Sequence, residues 1–275
     1  MDLSIIIVNY RDKDKLVNCL NSITQLKMEG VNYEIVVVDN NSGDKLGDLE
    51  GRYDRLKLIN SPRNLGMGGG NNLGIENSSG KFILVLNPDT LIKEKTIPTL
   101  LRYLENNPKV GIVGPKLLYP DSSLQYSCAR FPKIYMPILR RTFLGEYFKN
   151  IRDSFCMTDF DHDSVTEVDW LMGSCLMFKR RISLDNGKIY EPKFDKRYFM
   201  YFEDTDLCRE VWTRGLKVVY NPQVIVIHDH ARESAKYPWY LAIFLDRLAR
   251  KHINSWIKYF LKWGIRFKNK KYEKN

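Results

Sequence analysis

The chain is short of the residues that staple or anchor a small fold. Its five cysteines, Cys19, Cys128, Cys156, Cys175 and Cys208, are odd in number, far apart and form no C-x-x-C pair. That excludes a disulfide framework and a cysteine zinc site, and it fits a reducing compartment. No apolar run approaches the roughly 18 residues of a membrane-spanning helix, and no basic leader precedes the first apolar run, so no signal peptide is expected. No Gly-Lys-Ser/Thr follows the one glycine cluster, which excludes a P-loop. Net charge is also missing from most of the chain. Of the formal +10, the stretch from Ala231 to Asn275 holds 12 Lys/Arg against 3 Asp/Glu, leaving 31 against 30 in the residues before it. A near-neutral body speaks against nucleic acid as a partner, and the basic tail points to an anionic surface.

What is present is an alternation of buried-type strands and helices. Leu3–Tyr10, Glu34–Asp39, Leu56–Asn60 and Lys81–Leu86 are apolar, largely β-branched runs, and Leu16, Leu20, Ile23 and Leu26 follow helical spacing between the first two. This predicts an α/β, doubly wound, mainly parallel sheet. Further strands are expected at Val110–Val113, Val168–Phe178, Leu216–Tyr220 and Gln223–Ile227, and residues 119–166 show no clear period. Ligands of open α/β sheets bind beyond the carboxyl ends of the strands, so Asp39, the glycine-rich loop from Asn64 to Gly70, and Asp89 should converge on one crevice.

Each motif has a bland reading beside the chemical one. Asp39 in Asp39-Asn40-Asn41-Ser42 is good turn chemistry, or a carboxylate for a ribose or base. The glycines Gly66 to Gly70 form a flexible loop or a phosphate cradle. Asn87-Pro88-Asp89 is a turn, or an oxygen ligand for Mg²⁺ or Mn²⁺ at the sheet edge. His228 and His230 are structural histidines or a metal pair on one strand face. Tyr201–Trp212 places Glu203, Asp204 and Asp206 where an aromatic segment turns into a helix; they are first-turn acids or site acids.

Together these motifs, with Asp169-Trp170-Leu171-Met172-Gly173-Ser174 and Val226-Ile227-His228, occur in an order that resembles a family 2 glycosyltransferase. Within that family the chain resembles the bacterial rhamnosyltransferase branch, over roughly residues 1–230. The resemblance implies a GT-A fold, Rossmann-like, with a mixed and mainly parallel sheet. It implies an inverting, metal-dependent transfer of a sugar, rhamnose before others, from a nucleotide-sugar to a lipid-linked saccharide in cell-surface polysaccharide synthesis. dTDP-rhamnose is the favoured donor, with a UDP-sugar as rival. By the same resemblance Asn9, Asp39, Asn64, Gly66 and Asn71 meet the nucleotide, Asp89 and His228 hold Mg²⁺ or Mn²⁺, and Asp204 is the base. Trp170, Gly173, Glu203 and Asp206 flank the acceptor. Asn87 departs from the acid that opens the family's D-x-D motif.

The expected division is a catalytic domain, 1–231, and a basic amphipathic tail, 232–275. In the tail Leu245, Ala249, Ile253, Trp256, Phe260, Trp263 and Phe267 share a helix face. That face suits either an interfacial membrane anchor, placing the protein at the cytoplasmic face of the plasma membrane, or packing on the body or on a second copy in a homodimer. Lys268–Asn275 is expected to be disordered. The competing functions are a nucleotidyltransferase, for which residues 3–12 offer only Arg11 as a basic group, and a non-catalytic membrane-surface module of the same fold.

Overall fold

The computed structural model describes residues 1–26, 28, 30–229 and 246–265. A ten-stranded mixed sheet organises them. Its first half is parallel: β3 (Leu56–Asn60), β2 (Tyr33–Asp39), β1 (Leu3–Asn9) and β4 (Phe82–Leu86) lie side by side in that order. The short strand β5 (Thr90–Ile92) follows β4 in sequence but sits at the far edge. Between them run β11 (Cys175–Lys179), antiparallel to both neighbours, then β6 (Val110–Leu118) and β14 (Lys217–His228), which are parallel to each other. β7 (Leu124–Gln125) and β9 (Thr166–Glu167) add to β6 and β14. β8 (Cys128–Ala129) pairs with β10 (Trp170–Leu171), and β12 (Ile182–Ser183) with β13 (Ile189–Tyr190).

Period-two alternation splits the core into two layers. Leu3, Ile5 and Ile7 of β1 and Ile35 and Val37 of β2 face one side. There they meet α1 (Lys13–Thr24), α2 (Leu49–Arg52) and α4 (Thr96–Asn106) through Leu16, Leu20, Leu49, Ile97 and Leu100. Ile6 and Val36 face the other side, with α3 (Gly66–Glu76) and α8 (Glu203–Thr213), through Ile75, Leu207 and Val211. Each such side chain, fully enclosed, contributes about 1.5–3 kcal/mol. Helices on both faces match the doubly wound expectation.

Two expectations are corrected, and one open stretch is filled in. The glycines are not a loop: Gly66 opens α3, and the small residues let that helix lie against β1. A Cβ on Gly70 would stand 2.8 Å from Val8 Cγ1, and one on Gly74, further along α3, 2.4 Å from Ile6 Cγ2, so these glycines serve close helix–sheet packing. Leu216–Tyr220 and Gln223–Ile227 are one strand, β14, with an irregularity between Asn221 and Ile225. The stretch without period, 119–166, is not featureless; it carries β7, β8, α5 (Met136–Arg141), α6 (Leu144–Tyr147) and α7 (Lys149–Cys156).

The tail helix α9 (Arg247–Trp263) is capped by Asp246, which accepts from the Leu248 backbone N–H. Tyr259 and Phe260 pack on Tyr198 and Phe202, with Trp256 and Trp263 at the margin. The aromatic face is therefore occupied by the body. His230, Trp239, Leu245, Arg266, Phe267 and Lys268–Asn275 lie outside the described residues. Among the described residues no helix is long and apolar enough to cross a membrane.

Candidate active site

The topology gathers the chemistry at one edge. β1, β2 and β4 end there at Asn9, Asp39 and Leu86; β14, running the same way, ends at His228; antiparallel β11 starts there at Cys175. Asn9 and Asp39 are register partners, and the Asn9 amide donates to Asp44 Oδ2 at 2.8 Å. Asp39 Oδ1 accepts the Ser42 N–H at 2.9 Å, which folds the loop back over the strand end. Asn40 then clamps the approach to α3. It accepts from Leu65 N and donates to Asn64 Oδ1 and Gly66 O. Gly66 has φ +75°, and a Cβ there would lie 1.9 Å from the Phe199 carbonyl, so only glycine fits. That carbonyl accepts the Met67 N–H. The start of α3 is thus bound to the segment that leads into α8.

Asp89 and His228 meet because β5 pairs with the end of β14, Thr90 opposite His228. His228 Nε2 stands 3.2 Å from Asp89 Oδ1, and His228 Nδ1 is 2.7 Å from Gln125 Oε1 on β7. Burial works to raise the Asp89 carboxyl, but the imidazole and Lys15 hold it below the ordinary range. Gln125 holds the Nδ1 side of the ring, which turns Nε2 toward the Asp89 carboxylate. Asn87 Oδ1 is enclosed nearby with no hydrogen-bond partner among the described residues. A carboxylate, an imidazole and an amide oxygen fit a divalent cation that accepts mixed oxygen and nitrogen ligands. The described residues hold no group of three or more His, Cys, Asp or Glu ligands. Further ligands would have to come from a substrate or water.

The third cluster is the start of α8. Tyr201 and Phe202 both take φ +67°, a costly backbone of about 1–3 kcal/mol per residue. They turn the chain so that Glu203 and Asp204 occupy the first turn. Asp204 Oδ2 accepts the Gly173 N–H at 2.9 Å, and Oδ1 accepts the Thr205 N–H at 2.6 Å. Burial raises its pKa, while these donors work against the rise. At Glu203, burial first and the Asp204 charge second push the carboxyl up to about 8. The Gly173 and Thr205 donors favour the charged form of Asp204 over that of Glu203.

One short link ties base candidate to metal candidate. Gly173 holds Asp204, and the next residue, Ser174, accepts the Asn87 N–H at 2.9 Å, two residues before Asp89. Along this edge and its flanking helices Asn9 Oδ1, Asn71 Oδ1, Asn87 Oδ1, Ser174 Oγ and Glu203 Oε2 are enclosed without hydrogen-bond partners among the described residues. Buried polar atoms are nearly always satisfied, so these five make the edge a candidate ligand site.

Two expected acceptor residues are engaged within the protein. Asp206 is buried and turned to the tail: it accepts from Lys262 Nζ at 2.7 Å, Trp263 Nε1 at 2.6 Å and Tyr198 Oη at 3.1 Å. The half-buried Trp170 donates its indole N–H to the Arg130 carbonyl. Asn40, Lys15 and Gln125 escaped the sequence reading. Lys15 pairs with Asp229, next to His228, which α1 approaches only in the folded chain. Gln125 sits on a two-residue strand with no pattern to announce it.

Known proteins resemble this chain in sequence and fold. The model of the family described as Glycosyl transferase family 2 matches residues 4–165. An N-acetylglucosaminyl-diphospho-decaprenol L-rhamnosyltransferase of Mycobacterium tuberculosis is 28% identical over 282 residues, covering 96% of this chain and 89% of its own. Rhamnosyltransferase WbbL of Escherichia coli is 28% identical over 269 residues, covering 91% and 94%. The mannosyltransferase PcManGT of Pyrobaculum calidifontis, solved with GDP-Man and Mn²⁺, superposes with a TM-score of 0.58 at 16% identity, over 94% of this chain and 64% of its own. That likeness shows the fold, GT-A. The acids gathered beyond the strand ends, and a family match that spans more than half of the sequence, carry one conclusion: the chain belongs to glycosyl transferase family 2.

Proposed function

We propose that the chain is an inverting, divalent-metal-dependent glycosyltransferase that moves rhamnose from dTDP-rhamnose to a lipid-linked saccharide in cell-surface polysaccharide synthesis. The observation that carries it is the Gly173-Ser174 link, which fixes Asp204 and Asn87-Pro88-Asp89 on one edge. Asp204 takes the proton of the acceptor hydroxyl as that oxygen bonds to the anomeric carbon and the bond to the diphosphate breaks. One base suffices, because attack from the opposite face needs no enzyme-linked intermediate. Glu203, kept protonated beside it, donates a hydrogen bond to the acceptor. A Mg²⁺ or Mn²⁺ ion held by Asp89 and His228 would supply positive charge for the leaving diphosphate. Gln125 orients His228. Asn9, Asp39, Asn64, Gly66 and Asn71 line the nucleotide side, and Trp170 and Gly173 shape the acceptor side.

Rhamnose and a lipid-linked acceptor are carried by the printed names of the relatives, and Mn²⁺ by the mannosyltransferase structure. The docking of α9 supports a catalytic unit that runs through residue 265 rather than ending at 231. Work on a lipid-linked acceptor places the protein at a membrane surface. The test is a thermal-shift screen of nucleotide-sugars with Mg²⁺ or Mn²⁺, followed by transfer to a lipid-linked saccharide. dTDP-rhamnose should give the largest stabilisation. No shift with any nucleotide-sugar overturns the reading.

A further inference from the structure

Helices α5 to α7 carry large apolar side chains that face out. Phe143 is 61% exposed, Tyr147 81%, Phe148 48%, Ile138 45% and Ile151 39%. They are not misplaced core. Met136 and Phe155 of the same helices are buried with Ala129 and against Trp170, so the inward face is already satisfied. The Phe143 and Tyr147 rings meet edge to face at 6.2 Å. A cavity of about 280 Å³, with Arg130 and Lys133 at its lining beside Met136 and Ile151, joins the start of α5 to α7. Lys133, just before α5, and Ile151 of α7 thus border one depression.

The charge says what fits it. Residues 130–156 contain six Lys/Arg and two acids, Glu146 and Asp153, both paired with Arg152. A second copy would bring like charge against like. Aromatic and basic groups interleaved on a shallow surface suit the headgroup region of an anionic bilayer, rings at the acyl boundary and cations on phosphates. We propose that the outer surface of α5–α7 is the membrane-contact surface of this protein and that it docks on anionic lipid. It is wired to the reaction site: the Phe131 N–H donates to Asp169 Oδ2 at 2.8 Å and Trp170 to Arg130 O, a few residues before Gly173, which holds Asp204. Docking there orients the crevice to a lipid-borne acceptor.

The test uses the full chain and phosphatidylcholine vesicles with or without about 30% phosphatidylglycerol, a load that gives the bilayer a negative surface potential. Cosedimentation should require the anionic lipid. Phe143→Ser/Tyr147→Ser/Phe148→Ser should lower partitioning about tenfold, with an unchanged unfolding midpoint. Arg140→Glu/Lys149→Glu, which leaves the rings in place, should lower it by a similar factor. Equal binding to neutral vesicles overturns the proposal. So does either variant binding within about twofold of the unmodified chain, which would leave the basic tail as the anchor. A self-associating chain whose dimer the ring variant breaks also overturns it. Binding is read without sugar transfer, so failure of the enzymatic reading leaves this result standing.

Discussion

Lys262→Met is the perturbation that asks whether the tail is part of the catalytic body. Lys262 Nζ lies 2.7 Å from Asp206 Oδ2, 3.0 Å from Asp195 Oδ2 and 3.0 Å from Glu210 Oε1, so one cation serves three acids. Its side chain is 16% exposed and that of Asp206 only 1%. Breaking a buried pair from one side costs about 3–5 kcal/mol, because the remaining charge is stranded. The partial exposure of Lys262 and the two remaining donors to Asp206 place the expected loss near the lower end, about 3 kcal/mol. For a chain of this size that is roughly 6–10 °C in midpoint. Burial already raises the Asp206 carboxyl, and losing Lys262 raises it further. A raised acid contributes stability that is present below its unfolded pKa and lost as pH rises through the folded value. The loss should therefore be smaller at pH 4 than at pH 8. Urea unfolding at both pH values measures it, and Asp206→Asn in the Lys262→Met background should recover part. A loss under about 1 kcal/mol, or no recovery, would refute the docking argument.

Other perturbations probe the site. Glu203 keeps its proton up to about pH 8 when folded, whereas the unfolded chain releases it near the ordinary glutamate value of 4.5. Stability from this group is thus complete at low pH and falls across that interval. Glu203→Gln should flatten the fall, by at most about 5 kcal/mol and by about 2 after allowing for solvent access at the rim; unfolding midpoints from pH 5 to 8 report it. Gln125→Leu should weaken Mn²⁺ binding about 10–100-fold, measured by electron paramagnetic resonance of the free ion, with an unchanged fold. Gly66→Ala should cost about 2 kcal/mol or more, since its Cβ meets a backbone carbonyl at a positive φ; chemical denaturation measures the loss.

What the sequence disclosed follows from locality. The runs Leu3–Asn9 and Tyr33–Asp39 read as strands because burial on both faces fills their middles, residues 5–8 and 35–38, with Ile and Val alone. Strand ends then located Asp39, Asp89 and His228, since a parallel sheet brings those ends to one edge. Gly66 to Gly70 misled because the same composition serves a loop and a tightly packed helix. Only the approach of Ile6 and Val8 decides between them. Asp206 looked like its neighbours Glu203 and Asp204, yet its partners Lys262 and Trp263 lie more than fifty residues on. The aromatic period of α9 was legible, but a face that meets lipid and one that meets Tyr198 and Phe202 read alike.

The central claim is that Asp204 removes the acceptor proton. Rhamnosyl transfer by Asp204→Asn, compared with the unmodified chain at saturating donor and acceptor, tests it most directly. Asparagine preserves the contact with Gly173 N–H and removes the base. The account predicts a fall in kcat of about 10²–10⁴-fold with donor affinity unchanged. Transfer at the unmodified rate would contradict it.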